Sequence, residues 1–132
     1  MKVTIPVLFL AGIAMASVTI PVAANGNSSG DAKRGKMLFM QCAACHSVKA
    51  GAPHKVGPNL SGIIGAKMGV QDKFRYSAAM TKAGTAGKKW TGKSLDSFIA
   101  NPRGAIPGNS MSFGGIPDKK KRQDIIAYIE SL

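Results

Sequence analysis

The run Gln41-Cys42-Ala43-Ala44-Cys45-His46-Ser47 decides how the rest of the chain is interpreted. Two thiols separated by two residues and followed at once by an imidazole form the attachment pattern of a c-type haem. In such a site each sulfur bonds a haem vinyl carbon, and the adjoining histidine ligates the iron. The run therefore predicts one covalent haem c on Cys42 and Cys45, with His46 as an axial ligand of its iron.

The same two thiols also allow other uses. They are the only cysteines in the chain, so a zinc site has no second pair to complete its ligands. A structural disulfide would close a loop of two intervening residues, which restricts the unfolded chain very little. A thioredoxin-like dithiol is the remaining alternative. The flanking sequence has to distinguish these uses from haem attachment.

The N-terminal segment predicts export. Met1-Lys2 is a short positive region, residues 3–20 are almost wholly apolar, and Val22-Ala23-Ala24 offers small residues to a signal peptidase. We expect a signal peptide over residues 1–24, cleaved after Ala24, and a periplasmic location. The alternative is a retained membrane anchor, since the apolar run is near the lower length limit for crossing a bilayer.

The remainder of the chain is small and basic. Residues 25–30 form a Gly, Ser and Asn linker, and residues 31–132 form one domain. A domain of this size buries a modest core, so a large apolar cofactor at its centre is physically reasonable. The sequence has 18 Lys and Arg against 6 Asp and Glu, and loss of Lys2 with the leader leaves 17 against 6, a formal charge of +11.

A first and a last helix are the clearest elements of the domain. Asp31 can cap a helix that runs to Met40, and Asp118 can cap one that runs to Leu132. Gly35 inside the first helix costs about 1 kcal/mol against alanine, so we expect another backbone to pass close to it. The last helix, which has an apolar face of isoleucines, is the expected neighbour.

The middle of the domain is rich in glycine and proline. Short helices are expected at residues 77–81 and 93–99, and the second is stopped by Asn101-Pro102 because the residue before a proline avoids the helical region. Residues 106–116 are expected to be a loop. No alternation of polar and apolar residues is long enough for a strand. We therefore expect an all-α domain whose long loops are ordered by what they hold.

A second iron ligand is expected opposite His46. A methionine thioether suits iron(II), because it is soft and neutral. Met111 lies in the Pro- and Gly-rich loop at residues 107–115, and its spacing alone favours it as this second ligand. The competing methionines of the domain are Met37, Met40, Met68 and Met80. His54 is expected to bond the backbone of a neighbouring loop rather than a metal.

These segments together resemble a class I cytochrome c, in particular the small soluble cytochromes of bacteria, over residues 31–132. The resemblance rests on motifs in the family's order: Gly35, Phe39 and the Cys-x-x-Cys-His run; residues 54–60; residues 74–77 with Trp90; residues 95–113; and residues 124–129. It implies the small cytochrome c fold, in which the terminal helices cross and short helices and long loops surround one covalent haem.

The resemblance also implies roles for single residues. Met111 would be the sixth ligand, and the carbonyl of Pro58 would accept the proton of the second ring nitrogen of His46. Tyr76 and Trp90 would hydrogen-bond a haem propionate. The implied haem-binding residues, besides the two cysteines, are Phe39, Gly57, Pro58, Leu60, Tyr76, Trp90, Phe98 and Phe113.

Four residues depart from the family's pattern. Ala66 replaces a frequent arginine, Met80 a frequent asparagine, Phe98 a frequent tyrosine and Asn109 a frequent threonine. We expect fewer polar contacts around the propionates and around the sulfur of Met111. The reduction potential and the stability of the iron–sulfur bond are left open by these changes.

The implied function is that of a soluble, monomeric electron carrier and not of an enzyme. It would pass one electron by outer-sphere transfer between a donor and an acceptor with acidic faces, such as a dehydrogenase, a bc1-type complex, an oxidase or a reaction centre. These partners could belong to a respiratory, photosynthetic, methylotrophic or nitrogen-oxidising chain. The lysines expected to form one docking ring include Lys73, Lys88, Lys89, Lys93 and Lys119 to Lys121.

The sequence also allows other partners and another function. Nucleic acid is the generic partner of a basic protein, but export argues against it. A membrane is expected only through partner complexes or an uncleaved leader. The alternative function is that of a haem enzyme or a sensor of gas or peroxide, in which Met111 is a labile ligand.

Overall fold

The computed structural model describes residues 30–132, and the predicted signal peptide and residues 25–29 of the linker lie outside that range. Its helices, in chain order, are α1 (Ala32–Leu38), α2 (Met40–Ala43), α3 (Ala78–Thr85), α4 (Gly92–Ala100), α5 (Pro102–Ala105) and α6 (Lys119–Glu130). An isolated antiparallel bridge joins Lys67 and Lys89, and the described residues contain no strand. The all-α prediction is confirmed.

The first and last helices begin where they were predicted to begin. The Asp31 carboxylate accepts from the backbone N–H of Arg34 at 3.0 Å, and Asp118 accepts from Lys121 N–H at 3.1 Å. The first helical segment differs from the prediction at its end. It is interrupted at Phe39, and α2 then carries the helical conformation into the cysteine motif, where Ala43 N–H bonds the carbonyl of Phe39 at 2.9 Å.

The crossing of α1 and α6 forms as predicted at Gly35. This glycine is buried, and a Cβ added to it would overlap the carbonyl oxygen of Asp124. Phe39 and Tyr128 pack edge to face at the same crossing, with ring centroids 5.3 Å apart. Gly30, which was assigned to the linker, also lies against the α6 backbone at Gln123. The packed domain therefore begins at least one residue before Asp31.

A buried carboxylate holds the crossing together. Asp124 is 1% exposed, and Arg34 on α1 bonds both of its oxygens, with Nη2 to Oδ1 at 2.9 Å. Asp31 N–H donates to the same oxygen at 2.8 Å, and Lys120 lies 3.3 Å from it. The hydrogen bonds from Arg34 lower the pKa of Asp124 well below its usual range. Asp124 is therefore charged over the whole ordinary pH range.

The basic first turn of α6 contributes cations to the packing of the domain. Positive charge at a helix N-terminus is unfavourable by itself, because it opposes the helix dipole. Arg122 lies inside the domain, 8% exposed, and donates to the carbonyls of Ile116 at 2.9 Å and Pro117 at 2.7 Å. It also bonds Asp96 on α4 at 2.8 Å. At least Arg122 and Lys120 therefore stabilise the fold itself.

The middle helices are longer or more numerous than predicted. Both α3 and α4 extend beyond the expected residues, and α4 is started by a capping box between Thr91 and Ser94. The short α5 was missed. Pro102 ends α4 but also pre-sets the backbone for a new first turn, which Asn101 caps by accepting from Gly104 N–H at 3.0 Å.

The buried side chains form two clusters. The first cluster surrounds the helix crossing and comprises Phe39, Ile63, Leu95, Ile99, Ile116, Ile125, Ile126 and Ile129. The second cluster lies against α3 and the end of α4 and comprises Met68, Met80, Ala83, Phe98 and Ile106. Trp90 packs against both clusters and therefore marks their boundary.

Candidate haem site

The cysteine motif occupies a single tight turn at the end of α2. Cys45 N–H and His46 N–H both bond the carbonyl of Cys42, at 3.0 and 2.9 Å. Cys42 is half-buried against the first cluster, whereas Cys45 is exposed. The turn therefore presents two thiols and an imidazole close together at the edge of the apolar interior.

The environment of Cys42 disfavours thiol redox chemistry. Burial raises the pKa of the Cys42 thiol to about 11, and the neighbouring Cys45 adds to the shift. Catalytic dithiols of the Cys-x-x-Cys type work with a lowered thiol pKa, because the thiolate is the nucleophile. The thioredoxin-like alternative therefore lacks the electrostatic environment that it needs.

The imidazole of His46 is oriented by the bond that the family resemblance implies. His46 Nδ1 lies 2.7 Å from the carbonyl oxygen of Pro58. A carbonyl oxygen only accepts, so Nδ1 carries the proton and Nε2 keeps its lone pair for a metal. Burial also lowers the pKa of His46, which keeps the ring neutral. The side chain therefore has the tautomer and the charge of a metal ligand.

A glycine makes room for this imidazole. A Cβ added at Gly57 would overlap the ring of His46. The loop that carries Gly57 is aligned with the cysteine turn by two backbone bonds, from Gly57 N–H to the Cys45 carbonyl and from Leu60 N–H to the Ser47 carbonyl, each 2.8 Å long. Only a residue without a side chain fits at this point of the loop.

His54 bonds backbone groups, as predicted. Its Nε2 lies 2.6 Å from the carbonyl of Asp72, and its Nδ1 lies 2.9 Å from the backbone nitrogen of Asn59. The side chain of Asn59 is buried and donates to the carbonyls of Lys49 and Ala52. This second contribution of Asn59 was not predicted, although an asparagine beside Pro in a loop is a recognisable signal of such bonding.

Met111 is held by an asparagine two residues before it. The Asn109 carboxamide accepts from Met111 N–H at 2.9 Å and donates to the carbonyls of Pro102 and Ile106, both at 2.8 Å. We expected the replacement of threonine by Asn109 to reduce the polar contacts near the sulfur. Asn109 in fact makes three bonds to the loop backbone, so it fixes the loop instead of contacting the sulfur.

The residues predicted to contact haem converge on the two clusters and their boundary. Phe39 belongs to the first cluster, and Cys42, Leu60 and Phe113 pack against it. Phe98 belongs to the second cluster, and Tyr76 and Met111 pack against it. Trp90 joins them, with its ring centroid 5.2 Å from that of Phe98. Apolar side chains on two sides, with thiols, an imidazole and a thioether at their edges, fit a large flat apolar group that carries iron.

The competing methionines occupy other places. Met68 and Met80 are buried members of the second cluster, as expected of core methionines. Met37 and Met40 are 66% and 71% exposed on the first helical segment. Among the described methionines, Met111 alone sits in a loop at the edge of the second cluster.

The model of the cytochrome c family matches residues 32–132. The chain belongs to the cytochrome c family. It therefore has the cytochrome c fold, binds one covalent c-type haem with its iron, and functions in electron transfer. The match begins at the first residue of α1 and includes every helix and loop described above.

Curated relatives and a solved structure agree with this assignment. Cytochrome c2 from Agrobacterium tumefaciens is 43% identical over 76% of this chain and 90% of that protein. A cytochrome c homolog from Bradyrhizobium diazoefficiens is 46% identical over 76% of this chain, which spans 53% of that relative. The structure of cytochrome cH from Methylobacterium extorquens aligns with a TM-score of 0.72 at 39% identity, covering 78% of this chain and all of that one.

Two of the lysines predicted to dock a partner lie far apart on the surface of this cytochrome c. Gly92, at the start of α4, lies against Glu130, the last residue of α6, so the two helices run antiparallel. Lys93 is consequently separated from Lys119 by the length of α6, roughly 16 Å at 1.5 Å per residue. Lys55, which was not included, donates from Nζ to the carbonyl of Ala43 at 2.7 Å and so places its charge beside the haem-attachment turn.

Proposed function

We propose that the protein is an exported, soluble carrier of single electrons in which His46 and Met111 are the axial ligands of the haem iron and Cys42 and Cys45 its thioether attachments. The observation that carries the proposal is the bond from His46 Nδ1 to the Pro58 carbonyl. It commits one ring nitrogen to the protein and leaves the other as a neutral donor. When bound, the haem supplies a couple between iron(II) and iron(III).

The protein's own part is to keep both ligands in place in either oxidation state. The Pro58 carbonyl makes His46 a stronger donor, and Gly57 leaves no space for the ring to turn away. Asn109 anchors the backbone of Met111, whose side chain packs against the second cluster. Ligands that stay bound require little atomic rearrangement on electron transfer, and they leave no open iron position for catalysis.

Replacement of the proposed sixth ligand tests the proposal. Met111→Ala should retain covalent haem but show a lower reduction potential and new binding of carbon monoxide, because the thioether favours iron(II) and closes the sixth position. Met80→Ala is the matched control, since it removes a buried methionine that is not proposed as a ligand. An unchanged potential in Met111→Ala would remove Met111 from the site.

The proposed partners are redox proteins with acidic docking faces, and Lys55, which bonds the Ala43 carbonyl in the attachment turn, places a positive charge where it can meet them. Lys55→Glu should slow electron transfer to such a partner and flatten its dependence on salt. Lys82→Glu, at an exposed position on α3, makes the same change in net charge. Equal rates for the two variants would show that only net charge matters and would place docking elsewhere.

Export is part of the proposal and rests on residues 1–24. Within residues 30–132, no helix has the length and apolar character needed to cross a membrane. The mass of the protein in the periplasmic extract and in the membrane fraction tests this part. We expect a periplasmic chain that begins at Asn25 and carries one haem, and a chain in the membrane fraction that retains residues 1–24 would instead indicate a membrane anchor.

A further inference from the structure

One peptide unit connects the only two histidines of the chain. The carbonyl of Pro58 accepts from His46 Nδ1 at 2.7 Å, and the N–H of Asn59 donates to His54 Nδ1 at 2.9 Å. This C=O and this N–H belong to the same amide, the bond between Pro58 and Asn59. The proposed iron ligand and the second histidine are therefore joined through a single polarisable group.

The geometry fixes the protonation state of His54. A backbone N–H only donates, so Nδ1 of His54 must carry a lone pair. The carbonyl of Asp72 only accepts, so Nε2 carries the proton. His54 is thus held as one neutral tautomer, and protonation of Nδ1 would abolish the bond to Asn59. No other state of the ring keeps both bonds.

Hydrogen bonds at the two ends of an amide strengthen each other. Donation from Asn59 N–H shifts electron density toward the Pro58 oxygen, which then accepts more strongly from His46. A stronger bond at Nδ1 makes the other nitrogen of His46 a more basic metal ligand. A more basic ligand favours iron(III), so the bond from Asn59 to His54 should lower the reduction potential.

We propose that His54 is a positioning residue that tunes the axial ligand His46 through the peptide between Pro58 and Asn59, and that protonation of His54 raises the reduction potential of the haem. Protonation removes the acceptor of Asn59 N–H and adds a positive charge, and both effects favour iron(II). The inference rests on the proposed ligation by His46. It adds a dependence of the potential on pH that the ligand set alone does not require.

The charged groups around His54 belong to two packed segments. Lys55 follows it on its own loop and points to the Ala43 carbonyl. The facing segment, residues 71–76, carries Asp72, Lys73 and Arg75, all at exposed positions. Phe74 of the same segment packs edge to face against the imidazole, with ring centroids 5.4 Å apart. Lys49 lies behind Asn59, whose side chain bonds its carbonyl. Both nitrogens of His54 are nevertheless bonded to backbone groups. Protonation of Nδ1 therefore acts directly on the peptide between Pro58 and Asn59, by removing the acceptor of Asn59 N–H.

Two variants separate the two bonds of His54. His54→Asn can place an acceptor where Nδ1 lies and cannot be protonated at neutral pH, but it loses the bond to Asp72. His54→Gln can place a donor where Nε2 lies and so keeps the bond to Asp72, but it loses the acceptor for Asn59. The reduction potential of each holoprotein is measured by spectroelectrochemistry from mildly alkaline pH down to the lowest pH at which its spectrum stays low-spin.

The expected results differ among the three proteins. The wild type should become easier to reduce as pH falls. At every pH, His54→Asn should have the reduction potential that the wild type shows at alkaline pH. His54→Gln should have a higher reduction potential than that at every pH. We expect the ratio of reduced to oxidised protein at fixed potential to change by about two- to tenfold. The effect should be modest because His54 acts through a peptide, whereas groups that bond a ligand directly change metal affinity or activity by about 10- to 100-fold.

Three outcomes would overturn the inference. One is an equal potential in His54→Asn and His54→Gln. Another is a wild-type pH dependence that persists in both variants, which would assign it to the propionates. The third is a wild-type potential that does not vary over this range. In each case a low-spin spectrum with the methionine band would show that the proposed function still holds, whereas loss of that spectrum in the wild type would remove the proposed function itself.

A second readout does not depend on the potential. The ring nitrogens of His46 and His54 are the only imidazole nitrogens in the chain, so their resonances in nitrogen-labelled protein are few. The resonance of the proton on His46 Nδ1 should move upfield as His54 is protonated, because its hydrogen bond to the Pro58 carbonyl becomes weaker. The same resonance should not move with pH in His54→Asn. A resonance that follows pH equally in both proteins would contradict the connection through the peptide.

Discussion

The crossing of α1 and α6 and the loops that carry the proposed ligands are stabilised in different ways. At the crossing, a buried carboxylate, an arginine and a glycine bring two helix backbones together, and Arg34 and Asp124 are 90 residues apart in the sequence. The loops at residues 46–60 and 106–116 contain almost no regular structure and are held by side chains that bond backbone groups, chiefly Asn59, His54 and Asn109.

This difference separates a region held by contacts between two helices from a region that carries the proposed ligands. At the crossing, Gly35 and Arg34 of α1 each meet Asp124 of α6, and apolar side chains of both helices belong to the first cluster. The loops, by contrast, carry His46 and Met111, the proposed ligands of the haem iron. We therefore expect changes at the crossing to alter global stability and changes in the loops to alter ligation.

The largest expected effect is the loss of haem. In Cys42→Ala/Cys45→Ala the covalent attachment is impossible, and the two loops should lose their protection from hydrogen exchange, while α1 and α6 retain more of theirs. Mass spectrometry checks for the missing haem, and exchange measured by segment checks the order of protection. An equal loss of protection in the loops and in the helices would contradict the difference proposed between the two regions.

Gly35→Ala should be the most damaging single change at the crossing. The new methyl group would overlap the Asp124 carbonyl, and the backbone cannot yield without separating α1 from α6, so we expect a loss of about 3 kcal/mol in the free energy of unfolding. Denaturant unfolding of the holoprotein measures it. Gly87→Ala is the control, because an added methyl group at Gly87 would meet no other atom. The only cost expected there is that of an alanine at a positive φ of 81°, about 1 kcal/mol.

Asp124→Asn should remove about 2 kcal/mol at neutral pH, since the charge-assisted bonds from Arg34 are lost. The pKa of Asp124 is depressed in the folded state, so its contribution is present above the pKa of an unfolded carboxyl group and is lost as pH falls through the folded value. The stability difference between wild type and variant should therefore shrink below about pH 4. A difference that stays constant down to pH 2 would contradict this assignment.

Asn109→Ala should have the smallest effect on global stability and the clearest effect on ligation. It removes three bonds from the part-buried Met111 loop, so we expect faster replacement of the thioether by an added ligand such as imidazole. The expected loss in unfolding is about 1.5 kcal/mol, at about 0.5 kcal/mol for each bond. Stopped-flow spectra of ligand binding check the rate. Asn101→Ala, which removes only the cap of α5, is the control and should leave that rate near wild type.

What the sequence alone could predict follows the same division. Gly35, the caps Asp31 and Asp118, and the cysteine run are local signals, and each led to the correct element. Long-range pairs carry no local signal: nothing in the pattern around Arg122 says that it bonds Asp96 rather than a partner protein. The sequence also does not predict the individual hydrogen bonds within the loops. An asparagine in a Gly- and Pro-rich segment indicates a turn, but it does not indicate which carbonyl the side chain bonds.

The most direct test of the account is the absorption spectrum of the holoprotein, produced with a haem-attachment system and recorded oxidised and reduced. Ligation by His46 and Met111 predicts a low-spin c-type spectrum with the weak far-red charge-transfer band of methionine on iron(III). That band should be present in Met80→Ala and absent in Met111→Ala. A high-spin spectrum of the wild type, or a methionine band that survives Met111→Ala, would contradict the proposed ligands.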